Sequence, residues 1–446
     1  MVTEWLSSAL ADACASIDYG LTASAADHQR GPKFLRITDI VSGHIDWNSV
    51  PHVEANEATF AKYKLQDGDI VLARTGASTG ASAYIKNPPP AVFASYLVRL
   101  QAKPNFDSRF LSYYLRSDTF WNFIRAVLGD KSAQPNASAS TMTKAPLQAP
   151  RNKDEQRAIA HILGTLDDKI ELNRGMSETL EAMARAIYKS WFVDFDPVHA
   201  KASGEAPESI CRRLGLTPDL LALFPGRFGD SELGEVPEGW KGSNLGAVCR
   251  RVAMGPFGSD IKTSNFVPEG VPVIRGGNLT AGFVDDGFAF VTEAKADELR
   301  NANAWSGDIV ITHRGTLGQV GLIPPHSTYP RYVVSQSQMV LTTNGEVATP
   351  RFVYEFLRTP QGQQALLANT SQVGVPAIAR PTTSVKAIAL VMPPVDLQRT
   401  FDQVVGPLFD RARCSSVESR TLAAVRDTLL PELLSGELRV PLEGAV

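Results

Sequence analysis

The chain has 446 residues, too many for one ordinary domain, and its 43% hydrophobic and 20% charged content is that of a soluble globular protein. A formal net charge of −3 and an isoelectric point near 6.2 exclude a uniformly basic nucleic-acid binder but leave room for a local cationic patch. No apolar run approaches the roughly eighteen residues of a membrane span, and the N-terminus lacks a secretory pattern. The four cysteines stand far apart without CxxC spacing, so the expectation is a cytoplasmic protein with neither zinc ribbon nor disulfide framework.

In chain order, residues 1–150 read as mixed helix and strand. The strand Ile70-Val71-Leu72 follows the turn Asp67-Gly68, a proline break stands at Asn87-Pro88-Pro89-Pro90, and a helix is expected over Arg109–Arg125. Residues 154–194 read as one long helix. Ile159, Leu163, Leu166, Ile170, Leu180, Ala184, Ile187 and Trp191 alternate by threes and fours, with Asn173 and Ser177 filling a polar middle. About forty residues at 1.5 Å each make a rod of roughly 60 Å. Residues 196–239, rich in proline and glycine, read as a connector with one short helix near Pro218–Phe224.

From Trp240 the chain repeats itself. Trp240, Leu245 and Cys249 stand 235 residues beyond Trp5, Leu10 and Cys14. Gly307-Asp308-Ile309-Val310 stands 239 beyond Gly68-Asp69-Ile70-Val71, and Arg351-Phe352 with Gln398-Arg399 stand 242 beyond Arg109-Phe110 with Gln156-Arg157. Chance matches would not keep this order with such small insertions. Residues 240–393 are therefore a second mixed domain, with a helix expected over Arg351–Leu367. Residues 397–436 are a second long helix whose seam is Phe401, Val405, Leu408, Ala412, Ser415, Ser419, Leu422, Arg426, Leu429 and Leu433. The fold expected is α+β: two mixed α/β domains related by duplication and separated by two long helices. Paired with each other as an antiparallel coiled coil, those helices would relate the copies by a pseudo-two-fold axis.

Three strings are more specific: Lys189-Ser190-Trp191-Phe192-Val193-Asp194-Phe195-Asp196-Pro197 after the first helix, Gly234-Glu235-Val236-Pro237-Glu238-Gly239-Trp240 before the second domain, and Leu429-Leu430-Pro431-Glu432-Leu433-Leu434-Ser435-Gly436-Glu437-Leu438 at the end of the second helix. Through them the chain resembles, over nearly its whole length, the specificity subunits of Type I restriction–modification systems. The resemblance implies two target-recognition domains reading a split, asymmetric sequence in double-stranded DNA. It also implies helices that dock two methyltransferase subunits, a restriction-translocase subunit joining that core, and adenine methylation and cleavage performed by those other subunits. No membrane partner is implied.

The chain's own chemistry points away from catalysis. Asn87-Pro88-Pro89-Pro90 lacks the aromatic fourth residue that would stack on a flipped adenine, and no glycine-rich donor loop precedes it. Gly76-Ala77-Ser78-Thr79-Gly80 lacks the Lys of a phosphate-binding loop. Asp167-Asp168-Lys169 lies within a heptad helix, where solvated charges are the default. The histidines show no metal spacing, so neither cofactor nor metal is expected.

DNA contacts are sought where small, polar and cationic residues recur in both copies. The first pair of segments follows the Gly-Asp-Ile-Val strands: Arg74, Thr75, Ser78 and Thr79, matched by His313, Arg314, Thr316 and Gln319. A second comprises Lys131, Gln134 and Asn136, matched by Gln372–Pro376. A third comprises Arg36 beside Asp39, matched by Arg275 beside Asn278. Gln336 and Gln338 add amides suited to adenine. The residues alone leave a second reading open, a coiled-coil scaffold whose globular domains bind other proteins.

Overall fold

The structure is a computed structural model, and it describes residues 5–26, 28, 30–41, 43–129, 136–256, 258, 260–280, 282–371 and 374–441. It divides into two compact units: residues 1–176 with 414–446, and residues 177–413.

The first unit is built on a four-stranded antiparallel sheet in the order Cys14–Tyr19, Leu97–Ala102, Ile70–Ala73, Ser82–Tyr84. The strand Ile70–Ala73 is buried along its whole length because both of its faces are covered. Ile70 and Leu72 join a core with Leu10, Phe110, Phe120 and Ile159. Val71 and Ala73 point the other way, into a core with Leu35, Phe93 and Leu97. Beside this sheet Lys33–Leu35 and Ala91–Phe93 pair in parallel, and Trp5–Ala9 pairs antiparallel with Pro146–Pro150.

The second unit repeats the plan. Its four-stranded sheet runs Cys249–Met254, Gln338–Thr343, Ile309–Thr312, Val320–Leu322, and Lys241–Asn244 pairs with Ala389–Met392. Ile309 and Ile311 enter one core and Val310 another. The parallel pair, here Val271–Ile274 with Tyr332–Val334, has grown into a five-stranded sheet by adding Phe266–Val267, Ala289–Val291 and Asn303–Ala304.

Each helix expected after the sheet is in fact two. Ser108–Tyr114 and Asp118–Leu128 are separated at Ser117, whose hydroxyl caps the second of them. Pro350–Arg358 and Pro360–Leu367 are separated at Thr359, extended before Pro360 and capping the helix that follows.

The two long helices run Lys153–Phe192 and Val395–Ser435, 40 and 41 residues. Their seam positions are buried or half-buried throughout, as the heptad pattern requires. They pair antiparallel: within the first unit Asp167 meets Arg426 and Asn173 meets Glu418, while within the second Ser177 donates to Ala412 O at 3.2 Å and Trp191 packs on Phe401. Each helix begins on a buried glutamine that ties it to its own domain. Gln156 accepts from the Asp107 N–H at 2.8 Å and donates to Pro150 O, and Gln398 likewise accepts from the Thr349 N–H at 3.0 Å and donates to Pro393 O. The Gln-Arg match in the sequence therefore marks the same joint built once within each copy.

The connector holds more structure than its composition suggested. Three short helices, Asp196–Ala202, Pro207–Leu214 and Pro218–Ala222, precede a hairpin of Phe228–Ser231 with Gly234–Pro237. Their apolar residues Val198, Ile210, Leu221 and Phe224 share a core with Trp191, Phe192 and Trp240. The Trp-Phe string after the first helix supplies the anchor, Trp191 packing edge-on against Phe224 at 5.3 Å. Among the described residues no helix is long and apolar enough to cross a membrane.

Candidate nucleic-acid interface

In each copy the loop after the central strand is wired to two other segments by the same backbone bonds. In the first unit the Arg74 N–H donates to Tyr96 O at 3.0 Å, the Ala137 N–H donates to Arg74 O at 3.0 Å, and Thr75 bridges Asn136. In the second the His313 N–H donates to Ser337 O at 2.9 Å, the Ile378 N–H donates to His313 O at 2.9 Å, and Arg314 bridges Ala377. So the loop, the turn before the last sheet strand, and the segment following the helix pair converge at one place. The first two segment pairs found in the sequence meet there. Lys131 and Gln134, with Gln372 and Val373, lie outside the described residues.

Glycine shapes these loops. Gly76 and Gly315 take φ of +77° and +91° with open space where a Cβ would stand, which lets the backbone approach a bulky ligand. Gly80 and Gly318 close the turn, also at positive φ. The remaining candidates divide by burial. Thr79, Asn278, His313 and Gln338 are buried and spend their polar atoms on the fold. Thr79 Oγ1 donates to Gly76 O at 2.7 Å, Asn278 Nδ2 donates to Asp286 O at 2.7 Å, and Gln338 Nε2 donates to Thr312 Oγ1 at 3.3 Å. The His313 imidazole donates to Gln336 O at 3.1 Å, and burial holds its pKa below the ordinary value of 6.5, so it is neutral at pH 7. Arg36 is engaged by both oxygens of Asp39, at 2.9 and 3.1 Å.

Arg275, Arg314, Thr316 and Gln336 are exposed, and Arg74, Thr75, Ser78 and Gln319 half-exposed. In the second unit the third segment also reaches the cluster: a Cβ on Gly276 would stand 3.3 Å from Gln319 Oε1. Gln319 Oε1 accepts from Thr312 Oγ1 at 2.9 Å. That unit thus gathers amides around its loop. The first gathers aromatics. Tyr19, 45% exposed, lies beneath Arg74 with the guanidinium carbon 4.9 Å from the ring centre, and Tyr96 is 60% exposed. Neither tyrosine was found from the sequence. Their counterparts, Met254 and Ser337, are not aromatic, so the duplication could not flag them.

The other motifs have structural employment. Asn87 sits in a left-handed turn, φ 44°, with its N–H on Asp67. Asp167 and Asp168 are not merely solvated. Asp167 accepts from Tyr113, Arg116 and Arg426, and Asp168 from Lys86 and Arg109.

Residues 5–182 match the family model of the Type I restriction modification DNA specificity domain. The chain is 24% identical to the Type I restriction enzyme HindI specificity subunit of Haemophilus influenzae, over 85% of this chain and 88% of that one. It is 23% identical to the Type I restriction enzyme MjaIX specificity subunit of Methanocaldococcus jannaschii, over 83% and 78%. Its fold is that of the Type I restriction-modification S subunit from M. genitalium, with a TM-score of 0.54 at 17% identity over 97% of this chain and 96% of that one. Residues 5–182 thus match a Type I DNA specificity domain, and the chain is similar over most of its length to Type I specificity subunits.

Proposed function

We propose that this protein is the non-catalytic subunit that gives a Type I restriction–modification complex its DNA sequence, reading a bipartite asymmetric target with one half-site per domain. The observation that carries the reading is the paired loop site. Both copies wire three segments together by equivalent backbone bonds, yet display different side chains: Arg74 with Tyr19 and Tyr96 in one, Arg314, Thr316, Gln319 and Gln336 in the other. A shared frame with divergent display is what two readers of unlike half-sites need, since frame contacts position and side chains specify. The long helices, carrying exposed Leu172, Met183, Val404, Val417 and Val425, serve as the docking surface for methyltransferase subunits. Methylation and cleavage reside in those partners.

The test is to copurify the chain with its cognate methyltransferase and map methylation on random DNA. A split asymmetric site is expected, and exchange of residues 1–150 for those of a related subunit should change one half and spare the other. Methylation indifferent to that exchange would instead make the chain a scaffold.

A further inference from the structure

Seven arginines in the described residues lie over aromatic rings: Arg74, Arg99, Arg116, Arg251, Arg351, Arg358 and Arg439. Six of them are completed by a carboxylate. Arg99 has Asp18, Arg116 has Asp167, Arg251 has Asp308, Arg351 has Asp402, Arg358 has Glu181 and Arg439 has Glu155. Arg74 has none. Among the described residues its guanidinium makes no hydrogen bond or ion pair, and its Nε is buried without a partner. The ring beneath it is itself fixed, for the Tyr19 hydroxyl accepts from the Ala139 N–H at 3.0 Å. An arginine held on a ring at the loop cluster, its fork unspent, is prepared for an acceptor from outside.

We propose that Arg74, positioned by Tyr19, reads a guanine in the half-site of the first domain. The inference rests on the DNA-recognition reading above and specifies its chemistry. Two acceptors in DNA suit arginine, the phosphate and the guanine edge. A phosphate contact asks mainly for charge. A guanidinium fixed in one plane by stacking presents two parallel N–H groups, which is the geometry of guanine O6 and N7. The frame also favours a base: Arg74 stands where the loop, the Tyr96 turn and the Asn136 segment converge. In the second unit the same place holds His313, which burial keeps neutral and which is turned inward onto Gln336 O. The stacked arginine at this place is a feature of the first unit.

The experiment uses the full chain with its methyltransferase and the site found by methylation mapping. Each guanine of the half-site governed by residues 1–150 is replaced in turn by 7-deazaguanine, which lacks one acceptor, and binding is titrated. One guanine should lose roughly 5- to 150-fold in affinity for the unaltered protein, and little further for Arg74→Ala. Tyr19→Phe, which keeps the ring, should preserve discrimination at that base. Tyr19→Leu should lose it while other positions are read normally. Because the 7-deaza substitution is made in the DNA, its result stands even if a Tyr19 variant folds poorly. The inference is overturned if no guanine in that half-site responds. It is equally overturned if Arg74→Ala weakens all sequences alike with a shallower salt dependence, the mark of a phosphate contact. Methylation without any sequence preference would instead overturn the recognition reading itself.

Discussion

Single residues decide more here than composition suggests. Glu355 is 2% exposed, and among the described residues its Oε1 makes no hydrogen bond, Arg358 standing 3.7 Å away. Burial raises its pKa from 4.5 to about 6, with Arg358 and Arg185 opposing the rise and Glu181 adding to it. A carboxyl raised in this way contributes stability that is fully present below pH 4.5 and lost as pH rises through about 6. Glu355→Gln should therefore raise the melting temperature of its unit at pH 8, by about 2 kcal/mol of stability at most, and should give no gain at pH 4.5. Melting curves at the two values check it, and a variant less stable than the parent at pH 8 refutes it. Nothing in the sequence marked Glu355, because its partner in the first copy is Tyr113 and neither residue belongs to a motif. Tyr19 was hidden for the same reason. Arg74, His313 and Arg314 were legible because they follow a strand whose chemistry repeats. That Thr79, Asn278, His313 and Gln338 are buried was not legible, since a polar residue after a turn looks the same whether it faces a ligand or caps the turn.

Among the elements, the long helices were the most readable and their joints the least. A heptad seam is a local property of side-chain spacing. A joint depends on residues far apart. Asp167 gathers the Tyr113 hydroxyl at 2.7 Å, Arg116 at 2.8 Å and Arg426 at 2.6 Å, so one carboxylate fastens a domain helix and both long helices within the first unit. Burial opposes its ionisation, yet Arg116, Arg426 and Tyr113 prevail and hold its pKa below the ordinary 3.8. Asp167→Asn keeps the shape and removes the charge. It should cost about 2 kcal/mol, seen as a lower denaturant midpoint near neutral pH, with the difference shrinking as pH falls below 3.8. An unchanged midpoint would mean the cluster is solvent-screened and holds nothing. The helix breaks at Ser117 and Thr359 escaped the sequence reading because apolar spacing continues across both. The connector's extra helices escaped it because each is too short to show a period, and their stability comes from Trp191 and Phe192 of the neighbouring helix.

At the scale of the whole molecule, the units do not follow chain order. The first unit takes its domain from residues before 177 and part of its core from residues after 413. Leu430, Leu433 and Leu434 pack with Leu10, Phe110, Ile159 and Leu163, Gly436 abuts the Trp5 ring, and Arg439 pairs with Glu155 at 3.0 Å. A chain stopped after Val425 should therefore be damaged at its opposite end. Hydrogen exchange is expected to speed up at residues 5–20 and 146–165, while the sheet strands Cys249–Met254 and Gln338–Thr343 keep their protection. Loss of protection confined to residues 395–425 would contradict this. The duplication made the two domains visible in the sequence, but not this interleaving, which follows only from how the seam pairs.

The late-encoded segment of that first core has a consequence in time. On the ribosome, the domain made first must wait for the 237 residues 177–413 to pass before its missing leucines arrive. At about 10 residues per second that is a delay of roughly 25 s. All residues of the second unit are therefore synthesised before the first unit has its full core. Leu10, Phe110 and Ile159 lack those partners meanwhile, so there is an interval in which a chaperone can meet the nascent chain with the core of its first unit incomplete.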